Sequence, residues 1–169
     1  GTSITSPPFI HKFMHSGQIL VSGVDSLVLA LDMRWRGTEF FQKLDVLQKE
    51  AQDNKRPAPG QLKSKHQSDA LMFEVRAYGS DGYRWLIDST EWSIRLGTWD
   101  ASHTRPNAMV TLRSEGLWLH GLVESLDRLF SLLESVEGFV IRAKASRVDI
   151  CTDIQVPAEL WHKDLIEHK

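Results

Sequence analysis

Between Ala70 and Arg113 the chain alternates apolar and polar residues with a period of two, broken at short intervals by turn chemistry. In "ALMFEVRAY" (70–78), Leu71, Phe73, Val75 and Ala77 fall on one side, and Met72, Glu74, Arg76 and Tyr78 on the other. Successive side chains of a strand point to opposite faces, so this pattern fits a half-buried strand. "GSDG" (79–82) is hairpin turn chemistry, and "YRWLID" (83–88) returns as the partner strand. "EWSIRLG" (91–97) and "AMVTLR" (108–113) extend the run into a meander of about four strands.

Helical stretches flank this meander. In "GTEFFQKLDVLQKEAQDN" (37–54), Phe40, Leu44, Leu47 and Ala51 recur at helical spacing, with Phe41 beside them. Thr38 stands at the N-cap position, Glu39 suits the positive end of the helix dipole, and "NKRPAPGQ" (54–61) stops the helix. "SEGLWLHGLVESLDRLFSLLESVEG" (114–138) reads as one long helix with a stripe of Trp118, Leu122, Leu126, Leu129, Leu133 and Val136. Ser114 is its expected cap and Gly138 its expected left-handed terminator. "VDSLVLALDM" (24–33) precedes these elements as a strand, and "SRVDICTDI" (146–154) follows them as another, with "FVIRAKA" (139–145) undecided. Pro157 opens a short last helix. The order β-α-β-β-β-β-α-β-α predicts an α+β fold, a mainly antiparallel sheet with two long helices packed on one face. Residues 1–21 read as an N-terminal arm, and 22–169 as a single domain.

Composition limits what this domain does. A chain of 169 residues buries a core without disulfide or metal staples. Lys and Arg total 20 against 22 Asp and Glu, a net charge of -2, so nucleic-acid binding must come from local patches. The lone Cys151 cannot form an internal disulfide and fits a reducing cytoplasm. No apolar run approaches the roughly 18 residues that span a bilayer. Two basic patches stand out. Residues 54–68 carry Lys55, Arg56, Lys63 and Lys65 without an acid, which fits either a solvated connection or a phosphate-contacting segment. "IRAKASR" (141–147) carries Arg142, Lys144 and Arg147.

The strand 146–154 holds two aspartates, a residue type depleted in strands. Period two turns Val148, Ile150 and Ile154 toward a core under the helices, and Arg147, Asp149, Cys151 and Asp153 away from it. Asp149 and Asp153 thus share a face, an arrangement read as part of a seat for a hard divalent cation, Mg²⁺ or Mn²⁺. Asp32, Glu74 or a histidine would be the third ligand. The same pattern fits the wet face of a one-sided antiparallel sheet, where Asp–Arg pairs are ordinary.

"SRVDICTD" (146–153) resembles a characteristic strand of the replication initiation factor family, the rolling-circle replication initiators of plasmids and some phages and prophages. "SGVDSLVLALDMRW" (22–35) and "SEGLWLHG" (114–121) resemble the family's opening strand and its helix before that strand. The resemblance spans roughly Ser22 to Pro157. It implies origin DNA, single-stranded or hairpin, as partner, and a metal-dependent nicking reaction in which a tyrosine attacks the phosphodiester. It assigns Asp149 and Asp153 to the acidic positions, Arg147 to a structural or phosphate-contacting one, and the chain to a plasmid- or prophage-encoded cytoplasmic protein of bacteria. The family's tyrosine follows this strand, whereas Tyr78 and Tyr83 flank the hairpin turn and read as packing aromatics. The resemblance therefore implies the N-terminal portion of an initiator, without the nucleophile and without nicking activity of its own. A homodimer is compatible with this reading. Two other readings fit the residues: a non-catalytic interaction domain of phage or plasmid origin, and a complete small metal-dependent nuclease.

Overall fold

In strand β1 (Gln18–Trp35), Leu27, Leu29, Leu31 and Met33 share one face, and all four are buried. The computed structural model describes residues 18–63, 70–102 and 104–155, with the backbone alone at 18–22 and 151–155. Helix α1 (Glu39–Asn54) follows, then β2 (Ala58–Lys63), β3 (Ala70–Val75), β4 (Trp85–Asp88), β5 (Trp92–Leu96) and β6 (Ala108–Leu112). Helices α2 (Ser114–His120) and α3 (Leu122–Ser135) lead into β7 (Gly138–Gln155). The seven strands form one sheet in the order β2-β3-β4-β5-β6-β1-β7, every neighbouring pair antiparallel. The fold is α+β, as the alternation predicts.

One core holds the two layers together. Leu44 of α1, Leu117 of α2 and Leu129, Leu132 and Leu133 of α3 join the inward residues of the sheet in a single cluster. Side chains of this kind each contribute about 1.5–3 kcal/mol when fully buried. Phe41 bridges the layers, its ring 4.8 Å from that of Trp35 and 5.0 Å from that of Trp85. Asp45 of α1 accepts a hydrogen bond from the indole Nε1 of Trp85 at 3.0 Å. The hairpin turn forms as its residues predict: Asp81 and Gly82 both have positive φ, 53° and 82°, the signature of a turn that matches strand twist.

Several expectations are corrected. The basic connection after α1 is partly a strand, because β2 pairs with β3 from Ala58↔Val75 to Lys63↔Ala70. Its Pro59 is tolerated because β2 is an edge strand. The long helix from Ser114 is two helices, broken at Gly121, whose φ of 79° and ψ of 168° a helix does not contain. Its stripe shifts accordingly: Leu117 is buried, and Trp118 is 46% exposed. Arg113, not Ser114, occupies the cap position of α2, and Glu137, not Gly138, takes the left-handed conformation before β7. "FVIRAKA" and the strand after it are one element, β7. At the N-terminal end, β1 already begins at Gln18, inside the expected arm. The last helix lies outside the described residues.

A buried polar clamp lengthens the β1–β6 pairing. Asn107 directly precedes Ala108, which pairs with Leu31. Its side chain accepts the Met33 N–H at 2.8 Å and donates to the Met33 carbonyl at 2.9 Å and the Trp99 carbonyl at 3.3 Å. Only 3% of Asn107 is exposed, so no solvent replaces these bonds. Replacing it with leucine strands two buried backbone groups, each costing about 1–3 kcal/mol. We expect Asn107→Leu to lower unfolding stability by about 2–4 kcal/mol in urea titration with an unchanged m-value.

Candidate functional site

Helices cover one face of the sheet and leave the other open. Directly paired residues of an antiparallel sheet share a face. Opposite the buried Leu27, Leu29 and Leu31 stand Val148, Ala145 and Ala143 of β7, on the helix side. The residues between them point to the open side: Ser26↔Asp149, Val28↔Arg147, Ala30↔Lys144 and Asp32↔Arg142. A register shift between Val28 and Leu29 leaves Ser146 without a partner on β1. This bulge puts Arg142 and Lys144 on the same face as Arg147 and Asp149, which strict alternation would not.

Each member of this row has its own environment. Asp32 is buried, and Arg142 Nε donates to its Oδ2 at 2.7 Å. An unpaired buried carboxylate would cost several kcal/mol, so this arginine is first of all a structural counter-ion. Asp149 accepts from Ser26 Oγ at 2.7 Å on one oxygen and from Arg147 Nε at 3.1 Å on the other. The Ser26 hydroxyl first, and the Arg147 guanidinium second, hold its carboxyl below the usual aspartate range. Lys144 is exposed and forms no ion pair among the described residues. It borders a groove of about 480 Å³ lined by Ala30, Asp32, Ser102, Pro106, Arg142, Lys144, Ala145 and Ser146.

The expected DNA-contacting residues do not form one patch. Lys55 caps α1 in the left-handed conformation, with φ 54°, and Arg56 follows it, both exposed. Lys63 ends β2, at the opposite edge of the sheet from β7. Six strand spacings separate those edges, about 29 Å. Lys65 lies outside the described residues. Val148 and Ile150 face the helix side as expected, yet each is 48% exposed. β7 is an edge strand, and Trp118, Leu119 and Val123, the nearby apolar residues of α2 and α3, are themselves exposed.

The two aspartates of β7 stand far apart along the backbone. Four residues of extended chain separate Asp149 and Asp153 by about 13 Å along the strand. One ion with oxygen ligands at about 2.0–2.6 Å does not bridge that distance. Asp32 is engaged by Arg142, and Glu74 lies on β3, five strands from β7. His120, at the end of α2, is bound at 2.9 Å to Glu91 in the connection between β4 and β5. Among the described residues no three histidine, cysteine or acidic side chains group as a metal site. The aspartates therefore do not fit a shared ion. Of the tyrosines, Tyr83 is buried and donates its hydroxyl to the Pro106 carbonyl at 2.9 Å, while Tyr78 is exposed. Trp85 and Trp92 are core residues, and Trp99 lies under the Arg105 guanidinium at 3.9 Å.

Sequence reasoning missed a second cluster on the open face. Asp88, 8% exposed, accepts from Arg76 Nε at 2.7 Å and from Arg113 at 3.0 Å. A cavity of about 380 Å³ adjoins it. The signal was there in the arginines that end the β3 and β6 alternations, but their meeting point depends on strand order. Among the described residues no helix is long and apolar enough to cross a membrane. Comparison with known proteins adds no relative: no family model, curated protein or solved structure matches the chain.

The hydrogen bonds of Asp149 set a pH signature. A folded-state pKa below the unfolded value stabilises above the unfolded pKa, and that contribution is lost as pH falls through the folded one. A carboxyl ¹³C titration should place the Asp149 midpoint below the usual aspartate range. Ser26→Ala should raise it, because the largest stabiliser of the charged form is removed.

Proposed function

We propose that this domain binds single-stranded nucleic acid along the open face of β7, in the manner of the DNA-binding N-terminal part of a rolling-circle replication initiator. The observation that carries the reading is the row Arg142, Lys144 and Arg147, set on one face by the bulge at Ser146 and bordered by the groove. Neighbouring cations of the row stand about 7 Å apart or somewhat more. That is of the same order as successive phosphates along an extended strand. A row of cations at this spacing tracks a backbone without reading bases. Lys144 is the point charge for a phosphate, and the hydroxyls of Ser102 and Ser146 are donors beside it. Arg147 presents a guanidinium already oriented by Asp149, and Arg142 one oriented by Asp32. Strand nicking is assigned to no residue of this chain, and neither is a metal.

The second reading, a non-catalytic interaction domain, is favoured by the exposed Trp118, Leu119 and Val123 on the helical layer. It predicts no affinity for nucleic acid at low salt.

Fluorescence anisotropy with a labelled single-stranded oligonucleotide separates the two. Three phosphate contacts correspond to a slope of about -2 in log K against log salt. Lys144→Ala should weaken binding uniformly across sequences and make the slope shallower by about 0.7. Absence of binding at about 20 mM salt, where such contacts are strongest, sinks the proposal.

A further inference from the structure

The two edges of this sheet are guarded differently. β2 is six residues long with Pro59 inside it, which removes a donor from that edge. β7 is 18 residues long and contains no proline. Its inner flank is bonded to β1 from Gln18↔Gln155 to Trp35↔Gly138. Its outer flank is paired with no strand among the described residues. After the bulge at Ser146 the strand continues without an extra residue to Gln155, the later irregularities falling on β1. Such an edge presents a row of unmatched N–H and C=O groups, a template for another strand.

Its sequence is self-complementary in charge. The N-terminal half of β7 carries Arg142, Lys144 and Arg147, and the C-terminal half carries Asp149 and Asp153. Antiparallel pairing with a second copy lays the basic half of each strand along the acidic half of the other. Paired residues must share a face, which restricts the register. Centred on Val148, and with the bulge carried through, it sets Arg147 opposite the partner's Asp149 and Arg142 opposite the partner's Asp153. On the helix side, Val148 meets the partner's Val148, and Ile150 meets the partner's Ala145. These are the positions where β7 leaves two apolar side chains 48% exposed.

We propose that β7 pairs edge to edge with β7 of a second copy in this Val148-centred antiparallel register, joining two seven-stranded sheets into one. The pairing does not depend on nucleic acid and stands or falls separately from binding. The two open faces become continuous across a twofold axis, with the cation rows running in opposite directions.

Sedimentation velocity of the full chain should show a dimer whose fraction rises between about 1 and 200 μM, the range expected of a micromolar association. Arg147→Glu and Asp149→Arg should each weaken self-association about tenfold or more, by setting like charges opposite one another. Mixing the two variants in equal amounts should restore the dimer. Within either variant, positions 147 and 149 carry the same sign, so restoration requires pairing between chains. Far-UV circular dichroism checks that both variants fold. As an independent measure, Val148→Cys in a Cys151→Ser background should give a disulfide-linked dimer on mild oxidation. Val46→Cys, on exposed helix α1, should not. A wild-type chain that stays monomeric throughout overturns the proposal. Folded variants whose mixture stays monomeric, or a Val148→Cys chain that does not cross-link, overturn it equally.

Discussion

The pairing of β1 with β7 is the constraint on which the rest of the molecule depends. β1 is bonded to β6 on one flank and to β7 on the other, so the first described strand separates the last two. The β3–β6 meander assembles from neighbours along the chain, through connections that close cheaply. β1 meets β6 and β7 only across more than a hundred residues in the second case and about eighty in the first. Such distant contacts are the slow part of folding. The core cluster is complete only once β1 is seated, because Leu27, Leu29, Leu31 and Met33 supply its floor. Asn107 reinforces that seat at the end where the regular ladder stops. The candidate binding row therefore rides on an edge strand, joined to the sheet through β1 alone among the described residues.

Charge on the open face is arranged by burial rather than by sign alone. Asp32 and Asp88 are each 8% exposed, and each lies beside at least one arginine held at hydrogen-bond distance. Removing those arginines would leave buried charge uncompensated, a larger effect than losing a surface contact. Lys144 has no such duty among the described residues. Of the β7 cations it is the one whose loss tests ligand contact with the least disturbance to the sheet. Asp149 sits between these cases: it is half exposed, and its low pKa comes from two specific hydrogen bonds rather than from burial.

The legible parts of the fold were those decided locally. Phe73 and Val75 are buried while Met72 and Glu74 between them are exposed, because β3 has one wet face, and Leu44 and Ala51 recur at helical spacing because α1 has one dry side. β2 was hidden because Pro59 and Gly60 disfavour a strand except at an edge, and edges are a property of strand order. Gly121 was hidden inside a run that is amphipathic on both sides of it, since the break changes direction without changing composition. Strand order also decided the site. Lys63 and Arg147 belong to two separate basic segments, and only strand order reveals that β2 and β7 carry them at opposite edges. Val148 and Ile150 look like core until their strand is found where the helices end.

The bulge at Ser146 shows how little sequence separates one surface from another. Counted strictly, Arg142 and Lys144 share a face with Ser146, and Arg147 and Asp149 lie on the opposite one. Without the extra residue, either Arg142 would turn its guanidinium away from Asp32 or Arg147 would turn into the helix side beside Leu27. Both outcomes bury or strand a charge, so the apolar pattern of β1 and the buried carboxylate of Asp32 together enforce the bulge. Once it is present, all three cations stand on the open face and Asp149 follows on the same side. The shared face of Arg142, Lys144 and Arg147 is thus a consequence of one irregularity, imposed by the core at Leu27 and Leu29 rather than by the residues that display it.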